Sequence, residues 1–406
     1  MADYCLIGKR LNYSYSKVVH NKLGYDYDLV EVKEEDLASF IRSGRYRAFN
    51  VTIPYKKAVI PFLGEISSEA RALGVVNLVV REGARLKGYN MDIRGMEYAL
   101  RRTGISLAGK KVLILGTGNT SETAEYLARE NGAKEIVKIS RSGEMNYTNI
   151  GRHADAAFII NTTPVGTYPG NEDGLVDLSL FPSLEGVQEV IYNPFKTRLA
   201  LQAEDRGLKV ATGLDMLVGQ AAYSAEIFRG ELPSEVVVDR IVREILAEDR
   251  NIVLIGMPSC GKTTIGRALA HALGRKFIDI DEEIVKRHGD IPQIFEREGE
   301  DTFRLYESEV IAEVTKEHRL VIATGGGAVL RERNRLNLRQ NGVIVYLSRA
   351  LSALTDEGRP LSKGGRIEAL YREREPIYRA LAEVIAENDG TVESVVKEII
   401  NEVGNR

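Results

Sequence analysis

The sequence has few cysteines, few histidines and no long apolar run, and each shortage excludes a class of protein. The two cysteines, Cys5 and Cys260, cannot build a disulfide framework. The five histidines are scattered without an HExxH motif or a Cys/His cluster, which excludes a structural zinc site. No stretch approaches the roughly 18 apolar residues of a membrane span, and the first residues lack the apolar core of a signal peptide.

An excess of charge of either sign is also missing. The chain has 55 Lys and Arg residues against 58 Asp and Glu residues, a formal net charge of −3. This balance excludes a broad cationic surface for nucleic acid or anionic lipid. Hydrophobic residues make up 44% and charged residues 28% of the 406 residues, which is typical of globular proteins. We therefore expect a cytoplasmic enzyme or binding protein whose partners are small molecules.

Short apolar runs alternate with amphipathic segments along most of the chain, which predicts an α/β fold with parallel sheets and crossover helices. At about 100–200 residues per domain, the length predicts two or three domains. The least apolar join, LAEDRN, lies near residues 246–251 and marks the main boundary. We expect a first domain at 1–249, with one lobe at about 1–95 and 216–249 and a second lobe at about 96–215, and a second domain at 250–406.

A glycine-rich turn follows the first strongly apolar run of the second lobe, KVLILGTGN. Gly116 and Gly118 would let a pyrophosphate approach the backbone at a helix N-terminus, although glycines after a strand are often turn formers only. The next strand ends in Ser140, Arg141 and Ser142, without the acid that binds the ribose 2′-hydroxyl of NAD. A guanidinium and two hydroxyls suit a 2′-phosphate, which favours NADP.

Polar residues interrupt the apolar strands of the first lobe in four places. Each taken alone fits a turn, a cap or a solvated surface. The four segments are YSYSKVVHN (13–21), FNVTIPYK (49–56), GVVNLV (74–79) and GYNMDIRG (88–95), and INTTPVGTYP (160–169), VIYNPFKTRL (190–199) and GLDMLVGQAAYSAEIFRG (213–230) follow them. In this order, residues 1–249 resemble the shikimate dehydrogenase family.

This resemblance implies a two-lobed fold with a Rossmann NADP lobe, which reduces 3-dehydroshikimate with NADPH. It implies that Ser14 and Ser16 hold the substrate carboxylate, with Tyr192 nearby. It assigns the ring hydroxyls and the reacting centre to Thr52, Lys56, Asn77, Asp92 and Gln220. It assigns NADP to Gly116, Thr117, Gly118, Asn119, Thr120, Ser140, Arg141, Ser142 and Gly213. Lys56 and Asp92 are the implied catalytic pair, since hydride transfer to a ketone leaves negative charge that a cation stabilises.

Four residues depart from the usual pattern of that family. Tyr13 and Lys17 replace the common histidine and proline of the serine segment. Asn119 stands in the glycine turn, and Asp215 stands where a small residue is commoner. We expect these last two on the nicotinamide side of the site.

A second glycine-rich turn, GMPSCGKTT, matches GxxxxGK[ST] between a strand and a helix, the context of a phosphate-binding loop. Here Gly256 and Gly261 shape the loop, Lys262 reaches the β- and γ-phosphates, and Thr263 binds Mg²⁺. Cys260 fits a small tolerated residue better than a nucleophile.

The segment FIDIDEEI follows this loop and predicts a strand end that carries Asp279 and Asp281 on one side. Two acids beside a phosphate-binding loop suit magnesium and a hydroxyl acceptor, although they also fit a solvated strand terminus. FRLYE, TGGGAV (324–329), EGRPLS (357–362) and REREPIY (372–378) come next. In this order, residues 250–406 resemble the shikimate kinase family.

The second resemblance implies that Asp281 orients or deprotonates the acceptor hydroxyl and that Asp279 contacts the Mg²⁺ shell. It implies a shikimate site made by Asp281, Arg304, Gly325, Gly326, Gly327 and Arg374. It assigns ATP to Gly256, Met257, Pro258, Ser259, Cys260, Gly261, Lys262, Thr263, Thr264 and the lid residue Arg359. Lys262 and Arg359 would neutralise the transferring phosphoryl group.

The product of the first reaction is the substrate of the second, so we expect a bifunctional enzyme that uses NADPH, ATP and Mg²⁺. Two alternatives remain open. The chain could be a sensor that binds these ligands without turnover, or a quinate-type dehydrogenase joined to a different small-molecule kinase.

Overall fold

The computed structural model describes residues 2–11, 14–354 and 367–404, and the predicted lid residue Arg359 lies outside them. The chain folds into two compact units. The first unit spans Met1–Val165, Gly174–Phe195 and Gln202–Val242, and the second spans Gly166–Asp173, Lys196–Leu201 and Arg243–Arg406. In the described part of the chain, no helix combines the length and the apolar character that crossing a membrane requires.

The first unit begins with a mixed six-stranded sheet. Its elements are β1 (Tyr4–Gly8), α1 (Ser16–Lys22), β2 (Tyr27–Glu31), α2 (Leu37–Ser43), β3 (Ala48–Val51), β4 (Glu65–Ile66), α3 (Ser68–Leu73), β5 (Leu78–Glu82), β6 (Arg85–Tyr89) and α4 (Asp92–Arg102). The strand order is β2-β1-β3-β5-β6-β4. Strand β1 pairs in parallel with β2 and β3, so the carboxyl ends of these three strands share one edge.

A parallel five-stranded sheet follows in the same unit. Its elements are β7 (Lys111–Leu115), α5 (Asn119–Glu130), β8 (Glu135–Ile139), β9 (Phe158–Asn161), β10 (Gly186–Glu189), α6 (Arg198–Asp205) and β11 (Lys209–Ala211). The first residues of α6, up to Leu201, belong to the second unit. The order β11-β10-β9-β7-β8 places β7 inside the sheet. Residues Val112 to Leu115 of β7 are fully buried, which explains the continuous apolar run before the first glycine turn.

Two helices, α7 (Gly213–Arg229) and α8 (Glu235–Asp249), come after this sheet. Helix α7 packs along α4 and also against α1, so its residues return to the first sheet. There the Phe228 ring stacks on Tyr4, with ring centroids 4.4 Å apart. This packing sets the start of α4 beside the middle of α7.

The second unit holds another parallel five-stranded sheet. Its elements are β12 (Asn251–Ile255), α9 (Lys262–Leu273), β13 (Lys276–Asp279), α10 (Ile280–His288), α11 (Ile291–Arg297), α12 (Gly299–Val314), β14 (Leu320–Ala323), α13 (Glu332–Asn341), β15 (Gly342–Ser348), α14 (Ile367–Leu381), β16 (Val384–Glu387) and α15 (Val392–Gly404). The order β13-β14-β12-β15-β16 puts β12, which leads into the second glycine turn, at the centre. The predicted α/β class is therefore confirmed, with two parallel sheets and one mixed sheet.

Candidate active sites

A cavity of about 490 Å³ lies in the first unit, where the ends of β1 and β3 face the starts of α1, α4 and α5 and the first half of α7. It collects all eight residues predicted for the first substrate and two predicted for NADP. These lining residues are Ser14, Ser16, Thr52, Lys56, Asn77, Asp92, Thr120, Tyr192, Gly213 and Gln220. Residues that the motifs place far apart in sequence therefore share one cavity.

Lys56 and Asp92 form an ion pair in the wall of this cavity. Lys56 Nζ lies 2.5 Å from Asp92 Oδ2, and the two side chains are 16% and 9% exposed. Asp92 is the first residue of α4, where the helix dipole stabilises a carboxylate, and its backbone N–H donates to Asn90 Oδ1 at 3.0 Å. The pair thus holds a cation at a fixed place with little water around it.

Two amides continue the polar wall next to this pair. Asn77 is buried, and its Oδ1 accepts a hydrogen bond from the backbone N–H of Met91 at 2.6 Å. Its Nδ2 donates to Gln220 Oε1 at 3.4 Å, which links the first sheet to α7. Such fixed amides can recognise ring hydroxyls as donors and acceptors.

Two hydroxyls form another part of the wall, at the start of α1. Ser14 Oγ donates to Ser16 Oγ at 3.1 Å and accepts the Ser16 backbone N–H at 3.3 Å. Tyr192 also lines the cavity, and burial raises the pKa of its phenol. These groups are hydrogen-bond donors without charge, which suits one end of an anionic ligand.

The cavity includes two buried polar residues, His20 and Asn50, that the sequence did not single out. The His20 ring stacks on Tyr27 at 3.9 Å between centroids, and its Nδ1 contacts the Tyr25 hydroxyl. Burial lowers the pKa of His20 to about 3, so this ring is neutral at pH 7. Both residues lie inside the sequence segments quoted above, and this position is the signal by which they could have been predicted as site residues.

The first glycine turn has the geometry expected of a dinucleotide site. Gly116 adopts φ 110°, and a Cβ there would lie 2.9 Å from Thr162 Oγ1, so only glycine fits. Gly118 directly precedes α5, whose first N–H groups are available to a phosphate. After β8, Ser140 Oγ accepts the Gly143 backbone N–H at 2.8 Å, while Arg141 is exposed.

The structure gives Asp215 a role inside the fold. Its carboxylate accepts from the Thr212 hydroxyl, while its backbone N–H donates to Thr212, a capping box that starts α7. Arg102 Nη1 lies 2.5 Å from Asp215 Oδ1 and ties this helix start to α4. Burial raises the pKa of the Asp215 carboxyl, and Arg102 and Thr212 oppose that shift. Asp215 is not among the described residues that line the cavity.

In the second unit, the second glycine turn closes around the Lys262 side chain. Lys262 Nζ donates to the backbone carbonyls of Gly256 at 2.9 Å and Met257 at 2.8 Å. The lysine is buried at the first position of α9, directly after the turn. Thr263 Oγ1 donates to Asp279 Oδ2 at 2.7 Å, so these two predicted Mg²⁺ ligands are adjacent.

The expected strand through Asp281 is wrong. Strand β13 ends at Asp279, and α10 begins at Ile280 because Asp279 Oδ1 accepts the Asp281 backbone N–H at 3.0 Å. The cap places Asp281 in the first helical turn rather than at an alternate strand position.

Asp281 nevertheless faces the triple glycine. A Cβ at Gly325 would lie 3.0 Å from Asp281 Oδ1 and 2.7 Å from Glu307 Oε1. Glu307 is fully buried, and its carboxylate accepts a hydrogen bond from Arg304 Nη1 at 2.9 Å. Burial raises the pKa of the Glu307 carboxyl, and Arg304 opposes this shift. Arg374 is buried as well; its Nε has no hydrogen-bond partner among the described residues and lies 3.8 Å from Glu373 Oε2. Arg359 was expected here but lies outside the described residues.

These geometries define two classes of enzyme in one chain: an NADP-dependent oxidoreductase with two α/β lobes, and a P-loop phosphotransferase. The family model for the shikimate dehydrogenase substrate binding domain matches residues 6–79. The family model for shikimate kinase matches residues 258–404.

Individual relatives agree with both family matches. Shikimate dehydrogenase (NADP(+)) of Clostridium perfringens is 32% identical over 271 residues, which cover 61% of this chain and 98% of that protein. Shikimate kinase of Nitrosomonas europaea is 46% identical over 148 residues, which cover 34% of this chain and 70% of that protein. The chain belongs to the shikimate dehydrogenase family through its first part and to the shikimate kinase family through its second.

A solved structure supports the first assignment. Shikimate 5-dehydrogenase of Thermus thermophilus, in complex with NADP(H) and shikimate, has a TM-score of 0.55 and 28% identity, and covers 60% of this chain and 99% of that one.

Proposed function

We propose that the chain catalyses two consecutive reactions. It reduces 3-dehydroshikimate to shikimate with NADPH, and then phosphorylates the 3-hydroxyl of shikimate with ATP and Mg²⁺. The observation that carries the proposal is the presence of two separate sets of polar groups in one chain. Lys56 and Asp92 lie in one set, and Lys262, Thr263 and Asp281 lie in the other.

In the first reaction, bound NADPH supplies a hydride to the ketone carbon. The Lys56 ammonium stabilises the negative charge that develops on the ketone oxygen and donates a proton to it. Asp92 keeps the ammonium in place through the 2.5 Å ion pair. A general acid of this kind contributes about 10²–10⁴-fold to the rate.

We infer that the first unit prefers NADPH to NADH. The exposed guanidinium of Arg141 and the hydroxyls of Ser140 and Ser142 can bind a dianionic 2′-phosphate. The helix start after Gly118 can bind the pyrophosphate.

In the second reaction, the residues around the triple glycine position shikimate. Arg304 and Arg374 bind its carboxylate, and Asp281 orients the acceptor hydroxyl and accepts its proton. Lys262 holds the β- and γ-phosphates, because its Nζ already points into the loop that wraps them.

The oxygen atoms of Thr263 and Asp279 fit a magnesium ion. Mg²⁺ prefers hard oxygen ligands and keeps several waters, so one hydroxyl and one carboxylate beside the phosphates suffice. The bound ion would neutralise charge on the transferring phosphoryl group.

The test is a one-pot reaction of the full chain with 3-dehydroshikimate, NADPH, ATP and Mg²⁺. We expect NADPH consumption at once and ADP formation after a lag, because shikimate must accumulate first. Without NADPH, no ADP should form from 3-dehydroshikimate. If neither nucleotide is consumed, the sensor alternative is correct. If quinate is oxidised with NADP⁺ faster than shikimate, the quinate-type alternative is supported instead.

A further inference from the structure

The charges that line the first cavity do not balance. Its described lining residues carry three formal charges, on Arg10, Lys56 and Asp92. Lys56 and Asp92 are paired with each other, and His20 is neutral because of its burial. One positive charge, that of Arg10, therefore remains to be matched by a ligand.

Arg10 lies between β1 and α1, close in sequence to the two serines of the cavity wall. The Ser14 backbone N–H donates to the Leu11 carbonyl at 3.0 Å, and the Leu11 N–H donates to Glu31 Oε1 at 2.8 Å. These bonds hold the turn after β1 against the end of β2. Because Arg10 directly precedes Leu11, the first of these bonds keeps the Arg10 backbone near Ser14.

The Arg10 side chain is exposed to the cavity and makes no hydrogen bond or ion pair with any described residue. Its neighbours Lys9 and Lys17 are also exposed cations, but neither lines the cavity. Arginine binds carboxylates through two parallel N–H···O bonds, and such charge-assisted bonds are roughly twice as strong as neutral ones. Serine hydroxyls offer no charge of their own.

We propose that Arg10 binds the carboxylate of the substrate in the first site, together with Ser14 and Ser16, and so makes this site specific for an anionic ketone. This inference rests on the proposed function, since it concerns the carboxylate of 3-dehydroshikimate. Arg10 is a binding residue and takes no part in hydride or proton transfer.

The test compares 3-dehydroshikimate with its methyl ester, which keeps the ring and removes only the charge. In Arg10→Ala, we expect the KM for the acid to rise about tenfold with kcat changed less than about twofold. The KM for the ester should change less than about twofold. Arg10→Lys should be intermediate, because an ammonium keeps the charge but loses the bidentate geometry, and Lys9→Ala is the matched control.

A binding measurement keeps this inference separate from turnover. Shikimate is titrated into the complex of the full chain with NADPH, and the fluorescence of bound NADPH reports on the first site alone. Weaker binding in Arg10→Ala than in Lys9→Ala supports the inference even if the reductase reaction proves different. Equal binding by both variants would show that Arg10 is a solvated surface residue, and equal losses for acid and ester would show that it only shapes the turn. Either result would overturn the proposal.

Discussion

The two sites of this chain are assembled over very different distances in the sequence. In the first site, Lys56 pairs with a residue 36 positions away, and Asn77 bonds to Gln220, 143 positions away. In the second site, Lys262 bonds to carbonyls only 5 and 6 positions away. The first site is therefore a product of tertiary packing, whereas the centre of the second is largely local.

This difference has a consequence for ligand binding. In the proposed mechanism, we expect Lys56 to keep its Asp92 partner when the ketone binds, because the pair stabilises charge that develops later in the reaction. The Lys262 ammonium bonds to its own loop, so phosphates must replace those bonds with others of similar strength. Under the proposed function, we therefore expect the first site to be arranged for its transition state before the ketone binds, and the second to exchange internal contacts for contacts with ATP.

The largest effect is expected from a substitution that inactivates the first site alone. Lys56→Ala should lower dehydrogenase activity about 10³-fold, because the developing alkoxide loses both its charge partner and its proton donor. Phosphorylation of added shikimate should stay within about threefold of the wild type, since the two lysines belong to separate units with separate cores. Lys57→Ala, which removes an exposed neighbouring lysine, is the control and should retain both activities. A loss of both reactions in folded Lys56→Ala would contradict separate sites.

The reciprocal substitution inactivates the second site. Lys262→Ala should lower kinase activity about 10²-fold, because one electrostatic stabiliser of the phosphates is lost. Steady-state rates with 3-dehydroshikimate and NADPH should be unaffected. Lys397→Ala, at an exposed position of α15, is the matched control. A fall in dehydrogenase activity would show that the loop supports the first unit as well.

A smaller effect is expected for the choice between NADPH and NADH. Arg141→Ala should raise the KM for NADPH about tenfold, the effect of one lost charge-assisted contact, and leave the KM for NADH nearly unchanged. Arg129→Ala, which removes an exposed arginine that pairs with Glu125, is the control. Equal use of both nucleotides by the wild type would be incompatible with a 2′-phosphate site at Arg141.

The smallest expected effect is a pH dependence of stability in the first unit. His20 has a pKa of about 3 in the folded chain against 6.5 for an unperturbed histidine. Its contribution to stability is complete above pH 6.5 and is lost as the pH falls towards 3, because only the unfolded chain binds the proton. Between pH 7 and pH 6 the loss should be less than about 1 kcal/mol.

Urea unfolding of the full chain at these two pH values measures this loss. His20→Gln should reduce the difference, whereas His271→Gln, at an exposed position, should leave it unchanged. An unaltered difference in His20→Gln would mean that another group titrates.

Local geometry explains what could be predicted from the sequence. Both glycine turns were found because strand, turn and helix follow one another within about 20 residues, and the fold class follows from the same alternation. The strand prediction through Asp281 failed because alternation gives no information about caps. The side chain of Asp279 accepts a backbone N–H and starts a helix one residue later.

Tertiary partners explain what could not be predicted. The ion pair of Asp215 joins it to Arg102, 113 residues away, so its role in starting α7 depends on how two helices pack. The burial of His20 and the place of Arg10 in a cavity depend likewise on the turn after β1. The sequence alone does not show whether the side chain of an arginine faces solvent or a ligand.

Mixing the two lysine variants tests the central claim most directly. Lys56→Ala and Lys262→Ala are combined in equal amounts with 3-dehydroshikimate, NADPH, ATP and Mg²⁺, and shikimate 3-phosphate is measured by mass spectrometry. Each variant alone should form this product more slowly than the wild type, by about 10³-fold for Lys56→Ala and about 10²-fold for Lys262→Ala, because one step is blocked. If the chain carries two complete and separate sites, the mixture should recover to within about threefold of the wild-type rate. A mixture no faster than its separate components would contradict this account.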